Sequence, residues 1–265
     1  MKILVAVKQV ATLDEDFQIT ADGRDVNPDF LIRDLNEWDD FSLEEAVKLK
    51  EASADPIEVV LVTVGPEEAD ESLRKCLAKG ADRAIRVWDD AAVGSDPIAI
   101  ARILAAVARQ EAPDMLFAGV QSSDHGFAST GIATAGFLGW PHGAVVANLA
   151  YTPGAKTAVF RRELEGGLLH QVKIQCPAVL TIQAGINTPR YASLRSIKQA
   201  AAKPIAVRSL ADVGISTDDV GERGSLSRVR RMYVPDQGRA QLIGGSVADQ
   251  AKRLAEIIRE FKGEA

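Results

Sequence analysis

The residues with the clearest chemical capacity stand together between Gln121 and Gly131. Gln121-Ser122-Ser123-Asp124-His125-Gly126 has the composition of a polar turn, and after Phe127 and Ala128 come Ser129-Thr130-Gly131, two hydroxyls and a glycine. The apolar run Met115 to Gly119 precedes them, and small residues that include Thr134 and Ala135 follow. A strand, a polar loop and a hydroxyl-lined helix start make a cradle for an anion. The first helical N–H groups lack intrahelical partners and lie at the positive end of the helix dipole. A nucleotide phosphate suits such a cradle; an ordinary strand-to-helix connection with a capped helix is the other reading these residues allow. His125 is placed to touch a phosphate or a ring, or to serve only as a polar loop residue.

Such a loop needs buried strands to carry it, and the first half of the chain supplies them. Lys2 to Lys8 is a continuous aliphatic run, the pattern of a strand covered on both faces; Ile57–Val64 reads as a second buried strand, and Arg83–Val87 and Asp114–Gly119 as further strands. Between them, Phe41–Ser53, Glu67–Lys79 and Pro97–Gln110 have helical spacing, with Ser42 and Glu45 read as a capping box and Gly80 as a helix stop. Asp22-Gly23 inside Phe17–Asn27 signals a hairpin. The alternation predicts an α/β fold with an open, doubly wound, mostly parallel sheet. Ligands of such sheets bind beyond the carboxyl ends of the strands, where the strand order reverses. That makes Ala6-Val7-Lys8, Thr63-Val64-Gly65 and Gly119-Val120-Gln121 candidate contacts. Lys8 suits a phosphate or a partner carboxylate, or is simply solvated.

From Ala144 the texture changes. Ala144–Tyr151, Thr157–Arg162 and Leu168–Gln175 predict an antiparallel β extension, and Ala178–Ile182 a further buried strand. Residues 188–245 show too little core periodicity to close a domain. They are expected to form an arm that packs on a partner chain, followed by an amphipathic helix in 246–265. The expected division is therefore a 1–187 core, a 188–245 arm and the terminal helix. Arg228, Arg230 and Arg231 alternate as if to face an acidic partner.

Several function classes are disfavoured. With 46% hydrophobic and 26% charged residues and a net charge of −6, the 265-residue chain is not built for nucleic acid. It has no G-x-G-x-x-G after the first strand and no G-x-x-x-x-G-K-[ST]. His125, His142 and His170 are the three histidines, and no Ser or Cys lies in a nucleophile motif. Glu163 and Glu165 alternate with Leu164 and could share one strand face, where each reads as part of a surface cross-strand salt bridge. Cys76 and Cys176 are two distant cysteines, read as reduced and packed. No run reaches the roughly 18 apolar residues of a membrane span, and MKILVAVKQV reads as a strand rather than a targeting segment, so a cytoplasmic location is expected. The residues themselves support a nucleotide-associated α/β domain with a partner-binding arm and no catalytic set. A free-standing nucleotide-binding enzyme or sensor stays open.

Longer stretches resemble the small (beta) subunits of electron-transfer flavoproteins. VFRRELEGGLLHQVKIQCPAVLTI at Val159–Ile182, followed by Asn187-Thr188-Pro189-Arg190-Tyr191-Ala192-Ser193-Leu194, looks like the family signature. ILVAVKQV, Asn36 with Leu43-Glu44-Glu45-Ala46-Val47, Gly80-Ala81-Asp82-Arg83 and TAGFLGWP at Thr134–Pro141 also fit. The resemblance implies an electron carrier without substrate chemistry of its own, paired with a larger alpha subunit. It implies an FAD shared with that subunit, electrons taken from flavin dehydrogenases of the acyl-CoA type, as in fatty acid β-oxidation, and delivery to an acceptor such as a membrane quinone oxidoreductase. It also implies an adenine-nucleotide site, usually for AMP, on Ala6, Asn36, Glu37, Trp38, Asp39, Val64 and the Asp124–Ala135 stretch. Leu194 matches the residue that anchors the dehydrogenase, supported by Arg190 and Tyr191. The centre of the loop, His125-Gly126-Phe127-Ala128, departs from the acidic or amide residues common there, and Asn36 lacks the Pro that often follows it. Leu13 stands where some members place an aromatic residue near the flavin. AMP and a second FAD, as in electron-bifurcating relatives, both remain open as occupants.

Overall fold

A computed structural model describes residues 1–235, 238 and 240–263. The chain divides into two compact units, Met1–Arg230 and Arg231–Ala265. The first unit is organised by β1 (Lys2–Ala6), whose Ile3, Leu4 and Val5 are fully buried. Alternate residues of a strand point to opposite faces. Accordingly Ile3 and Val5 join one apolar cluster, and Leu4 and Ala6 another. Helices α1 (Glu37–Ala52) and α2 (Asp70–Lys79) cover the first face through Leu43, Val47, Leu73 and Leu77. Helices α3 (Pro97–Glu111) and α4 (Thr130–Leu138) cover the second through Ile103, Val107 and Ala135.

Strands β4 (Glu58–Val64) and β5 (Arg83–Val87) extend the sheet on one side of β1, and β6 (Met115–Gly119) pairs with β1 on the other, all in parallel. The chain therefore works outward from β1, returns through α3, and resumes on the opposite side. That reversal opens a crevice at the carboxyl ends of β1 and β6, where α/β sheets bind ligands. Beyond β6 lie β10 (Ala178–Ile182), β7 (His142–Ala150), β8 (Thr157–Glu163) and β9 (Leu169–Gln175). β7 runs parallel to β10, while β7–β8 and β8–β9 are antiparallel, the expected extension. Glu163 ends β8 and Glu165 lies in the turn after it, so they do not share a strand face.

Three local expectations are corrected. Asp22-Gly23 closes a turn bearing a single antiparallel bridge, Ile19 to Val26. The ribbon lies outside it, where β2 (Gln9–Leu13) pairs with β3 (Leu31–Leu35) in a separate two-stranded sheet. α1 begins at Glu37, because Glu37, Asp39 and Asp40 form an acidic first turn that the helix dipole favours. Ser42 is therefore inside the helix, donating its hydroxyl to the Trp38 carbonyl at 3.0 Å, and the Ser42/Glu45 capping box does not form.

The third correction concerns 188–230, the first part of the 188–245 segment expected to form an arm. α5 (Leu194–Ala200) lies on α2, and Arg74 donates to the carbonyls of Ala200 (2.8 Å) and Lys203 (2.6 Å). β11 (Ile205–Arg208) then pairs in parallel with β5 as an edge strand, and Leu210, Val213 and Val220 are buried in the second cluster. These short pieces find their apolar partners on distant elements, which sequence periodicity does not register. The segment after the short helix α6 (Gly221–Gly224) is pinned to Asp96, the N-cap of α3. One Asp96 oxygen accepts from the N–H groups of Ile98 and Ala99, and the other from Leu226 and Ser227.

The second unit contains α7 (Val247–Lys262), opened by a capping box between Ser246 and Asp249. Val247, Leu254, Ile258 and Phe261 are exposed on it. No helix among the described residues is long and apolar enough to cross a membrane.

Replacing Asp96 with Ala removes the helix cap and the tether together. Loss of the cap lowers stability by about 1–2 kcal/mol in denaturant unfolding. Release of Leu226–Ser227 speeds tryptic cleavage at Arg228 and Arg230. Cleavage unchanged from wild type would show that Asp96 does not hold this segment.

Candidate functional site

At the crevice, three residues tie the strand ends together. Lys8 lies two residues beyond β1; its backbone N–H donates to Oδ2 of Asp39 at 2.8 Å, and its carbonyl accepts from the Asn36 N–H at 3.0 Å. The other Asp39 oxygen accepts from the Gly119 N–H at 3.0 Å, so one carboxylate joins the ends of β1 and β6. Gly119 has no room for a side chain: an added Cβ would lie 2.5 Å from Asp39 Oδ1 and 2.6 Å from Trp38 Cβ. Asn36 occupies the N-cap of α1 but does not cap it. Its Nδ2 donates to the Gln121 carbonyl at 2.9 Å and its Oδ1 accepts from the Ser123 N–H at 3.2 Å. The side chain thus positions the loop.

The loop is closed by an ion pair. Lys8 Nζ lies 2.6 and 2.7 Å from the two Asp124 oxygens, and 3.0 Å from Nδ1 of His125. Burial raises the Asp124 carboxyl, but hydrogen bonds from His125, Lys8 and Ser122 outweigh it and hold it well below the usual carboxylate range. The loop continues through Gly126 and Ala128, both left-handed, with φ of 63° and 51°. The His125 and Phe127 rings stack at 6.0 Å on the exposed side. α4 follows with no side-chain cap at Ser129. Among the described residues, the N–H groups of Thr130, Gly131 and Ile132 have no hydrogen-bond partner. Gly131 allows this helix end to sit against the strand ends, since an added Cβ would lie 2.6 Å from Thr181 Cγ2. Unpaired N–H groups at the positive end of a helix beside a crevice can receive an anion.

Most of the residues singled out from sequence come together here. Ala6, Val64 and Gln121 stand at or just beyond strand ends, and Asn36, Trp38 and Asp39 face them from α1. Asp124, His125, Gly126, Phe127, Ala128, Ser129, Thr130 and Gly131 form the loop and helix start. Glu37 instead lines a cavity of about 610 Å³ between α1, α2 and α5. Thr134 is turned inward, donating to the Thr130 carbonyl at 2.8 Å, and Ala135 belongs to the core. Gln183, which follows β10, was not foreseen: its Oε1 accepts from Trp38 Nε1 at 3.2 Å. A polar residue at a fourth strand end was the available signal.

With this geometry in view, comparison with known proteins is decisive. Residues 33–213 match the family described as the electron transfer flavoprotein domain. The chain is 66% identical over 263 residues to the electron transfer flavoprotein subunit beta of Methylophilus methylotrophus, covering 99% of this chain and 100% of that one. The chain belongs to the electron transfer flavoprotein family, on its beta-subunit branch. The beta subunits of Bradyrhizobium diazoefficiens and Bos taurus, each 36% identical, cover 100% and 98% of this chain and 99% and 98% of their own lengths.

The signature segment of this electron transfer flavoprotein chain is anchored on α1. Asn187 Nδ2 donates to the Phe41 carbonyl (3.1 Å) and to Glu45 Oε2 (2.9 Å). Arg190 grips Glu44 through Nε and Nη2 (2.8 and 3.0 Å) and Glu51 through Nη1 and Nη2 (2.5 and 2.8 Å). Glu44 and Glu51 lie seven residues, about two turns, apart and so share a helix face. Their role as anchors was not foreseen from sequence. Tyr191 and Leu194, in contrast, are 97% and 81% exposed.

Asp39 carries a pH signature. Burial pushes its carboxyl up to about 7, against the bonds from Lys8, Asn36 and Gly119. Between the unfolded value near 3.9 and this raised one, the native state holds a proton that the unfolded state has lost. Its contribution to stability is therefore full at low pH and declines as pH rises towards 7, by at most about 1.4 kcal/mol per pH unit. Urea unfolding at intervals from pH 4 to 8 should show this decline in wild type and not in Asp39→Asn. Parallel curves would remove Asp39 as the titrating group.

Proposed function

We propose that the chain is the beta half of a heterodimeric electron carrier that places an adenine nucleotide at the β1–β6 crevice and presents Tyr191 and Leu194 to a flavin dehydrogenase. The 66% identity to a beta subunit over essentially the whole of both chains carries this reading. The crevice fits the nucleotide: the unpaired N–H groups of Thr130, Gly131 and Ile132 suit a phosphate, and the close approach at Gly119 and Gly131 keeps both helix starts at the strand ends. Asn36 and Asp39 then hold the surrounding backbone, and His125 and Phe127 offer rings beside the mouth. AMP is the occupant proposed here, as a structural ligand.

FAD, carried chiefly by an alpha subunit, supplies the electron-transfer chemistry of the complex. This chain's own residues bind, orient and dock. The exposed apolar side chains Met232, Tyr233 and Val234, and Leu254, Ile258 and Phe261 on α7, support burial against that subunit. Acyl-CoA-type dehydrogenases are the proposed donors and a membrane quinone oxidoreductase the proposed acceptor. The exposed Leu194, on a segment held by Arg190, supports the docking role. Both cysteines are free, which accords with a cytoplasmic setting.

Co-purified with its alpha partner and denatured, the complex should release one FAD and one AMP. Two FAD would replace the AMP assignment with a bifurcating one, and a flavin-free complex would overturn the carrier reading. Leu194→Ala should slow electron transfer from the dehydrogenase by about tenfold, the scale of one buried apolar anchor, with flavin content unchanged. Equal rates would remove Leu194 from the docking surface.

A further inference from the structure

Lys8 is the point where β1, α1 and the 121–128 loop meet, and its place beyond a strand end makes it a candidate phosphate contact. We propose that Lys8 is a positioning residue of the nucleotide site: its ammonium, seated on Asp124, sets the path of the loop into α4 and does not itself hold the nucleotide phosphate. The inference rests on the nucleotide reading above.

The backbone of Lys8 is fixed on both sides, by its N–H on Asp39 and its carbonyl on the Asn36 N–H. The ammonium has three protons to donate. All have acceptors within the chain: both Asp124 oxygens at 2.6 and 2.7 Å and Ser122 Oγ at 3.5 Å, with His125 Nδ1 3.0 Å away and able to accept in the tautomer protonated at Nε2. Turning the 42% exposed ammonium towards a phosphate would weaken its hold on Asp124, whose carboxylate is only 14% exposed and would lose part of its counter-ion as an anion arrived.

The loop also needs a clamp. Ala128 sits at a φ of 51°, a left-handed conformation that costs a residue with a side chain on the order of 1–2 kcal/mol. Upstream, Asp124 is held by Lys8, its Oδ1 accepts from the His125 N–H at 2.7 Å, and the Gly126 N–H reaches the Ser122 carbonyl at 2.9 Å. Fixing Asp124 therefore fixes the approach to Ala128 and the orientation of the N–H groups that follow. In this arrangement the phosphate falls to the start of α4, and the lysine acts through the loop.

The two roles predict different ligand dependence. In the complex with its alpha partner, stripped of nucleotide, AMP and adenosine affinities are measured by calorimetry for wild type, Lys8→Met, Lys8→Arg, Asp124→Asn and the double variant. A positioning role weakens AMP and adenosine alike in Lys8→Met and Asp124→Asn, by about fivefold, the scale of a partly exposed ion pair. It makes the double variant no worse than either single one, and Lys8→Arg retains most of the affinity. An AMP-only loss in Lys8→Met, or tighter AMP binding in Asp124→Asn, overturns the inference by showing a direct phosphate contact. Amide exchange across 122–128 supplies a measurement free of ligand: it accelerates in Lys8→Met if the clamp is real, and unchanged exchange overturns it. Wild type that takes up neither ligand overturns the nucleotide reading and this inference with it, whereas wild-type binding with an AMP-only loss overturns this inference alone.

Discussion

The two backbone hydrogen bonds on the buried carboxylate of Asp39 hold the working end of this fold together. At a reversal of strand order the segments that leave neighbouring strands diverge in opposite directions, and their N–H groups need acceptors other than the next strand. Asp39 takes the N–H after β1 on one oxygen and the N–H at the end of β6 on the other. It does so from the first turn of α1, where the helix dipole favours a negative charge. Gly119 gives up its side chain so that this helix end can come close enough. The crevice, the loop beyond it and the seat of α4 all follow from that contact.

α1 then serves two regions at once. Its N-terminal residues, Asn36, Trp38 and Asp39, reach the strand ends and the 121–128 loop. One to four turns further along, Glu44, Glu45 and Glu51 receive Asn187 and Arg190. A rigid helix thus sets the distance between the candidate nucleotide site and the exposed Tyr191 and Leu194. Buried carboxylates on a core-facing helix are costly unless paired. Here the pairing holds the family's signature segment in place and leaves the apolar side chains of Tyr191 and Leu194 facing solvent.

Legibility from sequence followed the range of the interactions. The strands β1, β4, β6 and β10 were readable, because burial on both faces leaves a largely aliphatic run. The polar loop and the small-residue helix start were readable from composition. The start of α1 was misjudged, since Ser42 and Glu45 have cap spacing while the acidic first turn and Asn36 lie further upstream. β11 and α5 were missed as parts of the core: four- and seven-residue pieces carry little periodicity, and their apolar partners are supplied by β5 and α2.

By itself, the sequence determined the α/β alternation, the positions of the strand ends, the membership of the family and the identity of the loop. Each rests on local patterning or on motifs that survive in linear order. Only the tertiary structure decided which residues act on one another. It set Lys8 on Asp124 across more than a hundred residues, turned Thr134 and Ala135 inward, and sent Glu37 to a different cavity. It also drew part of the expected arm into the sheet. The physical reason is common to all of these. A charge, a hydrogen-bond donor or an apolar face acquires its role from what lies opposite it, and the fold alone chooses the opposite side.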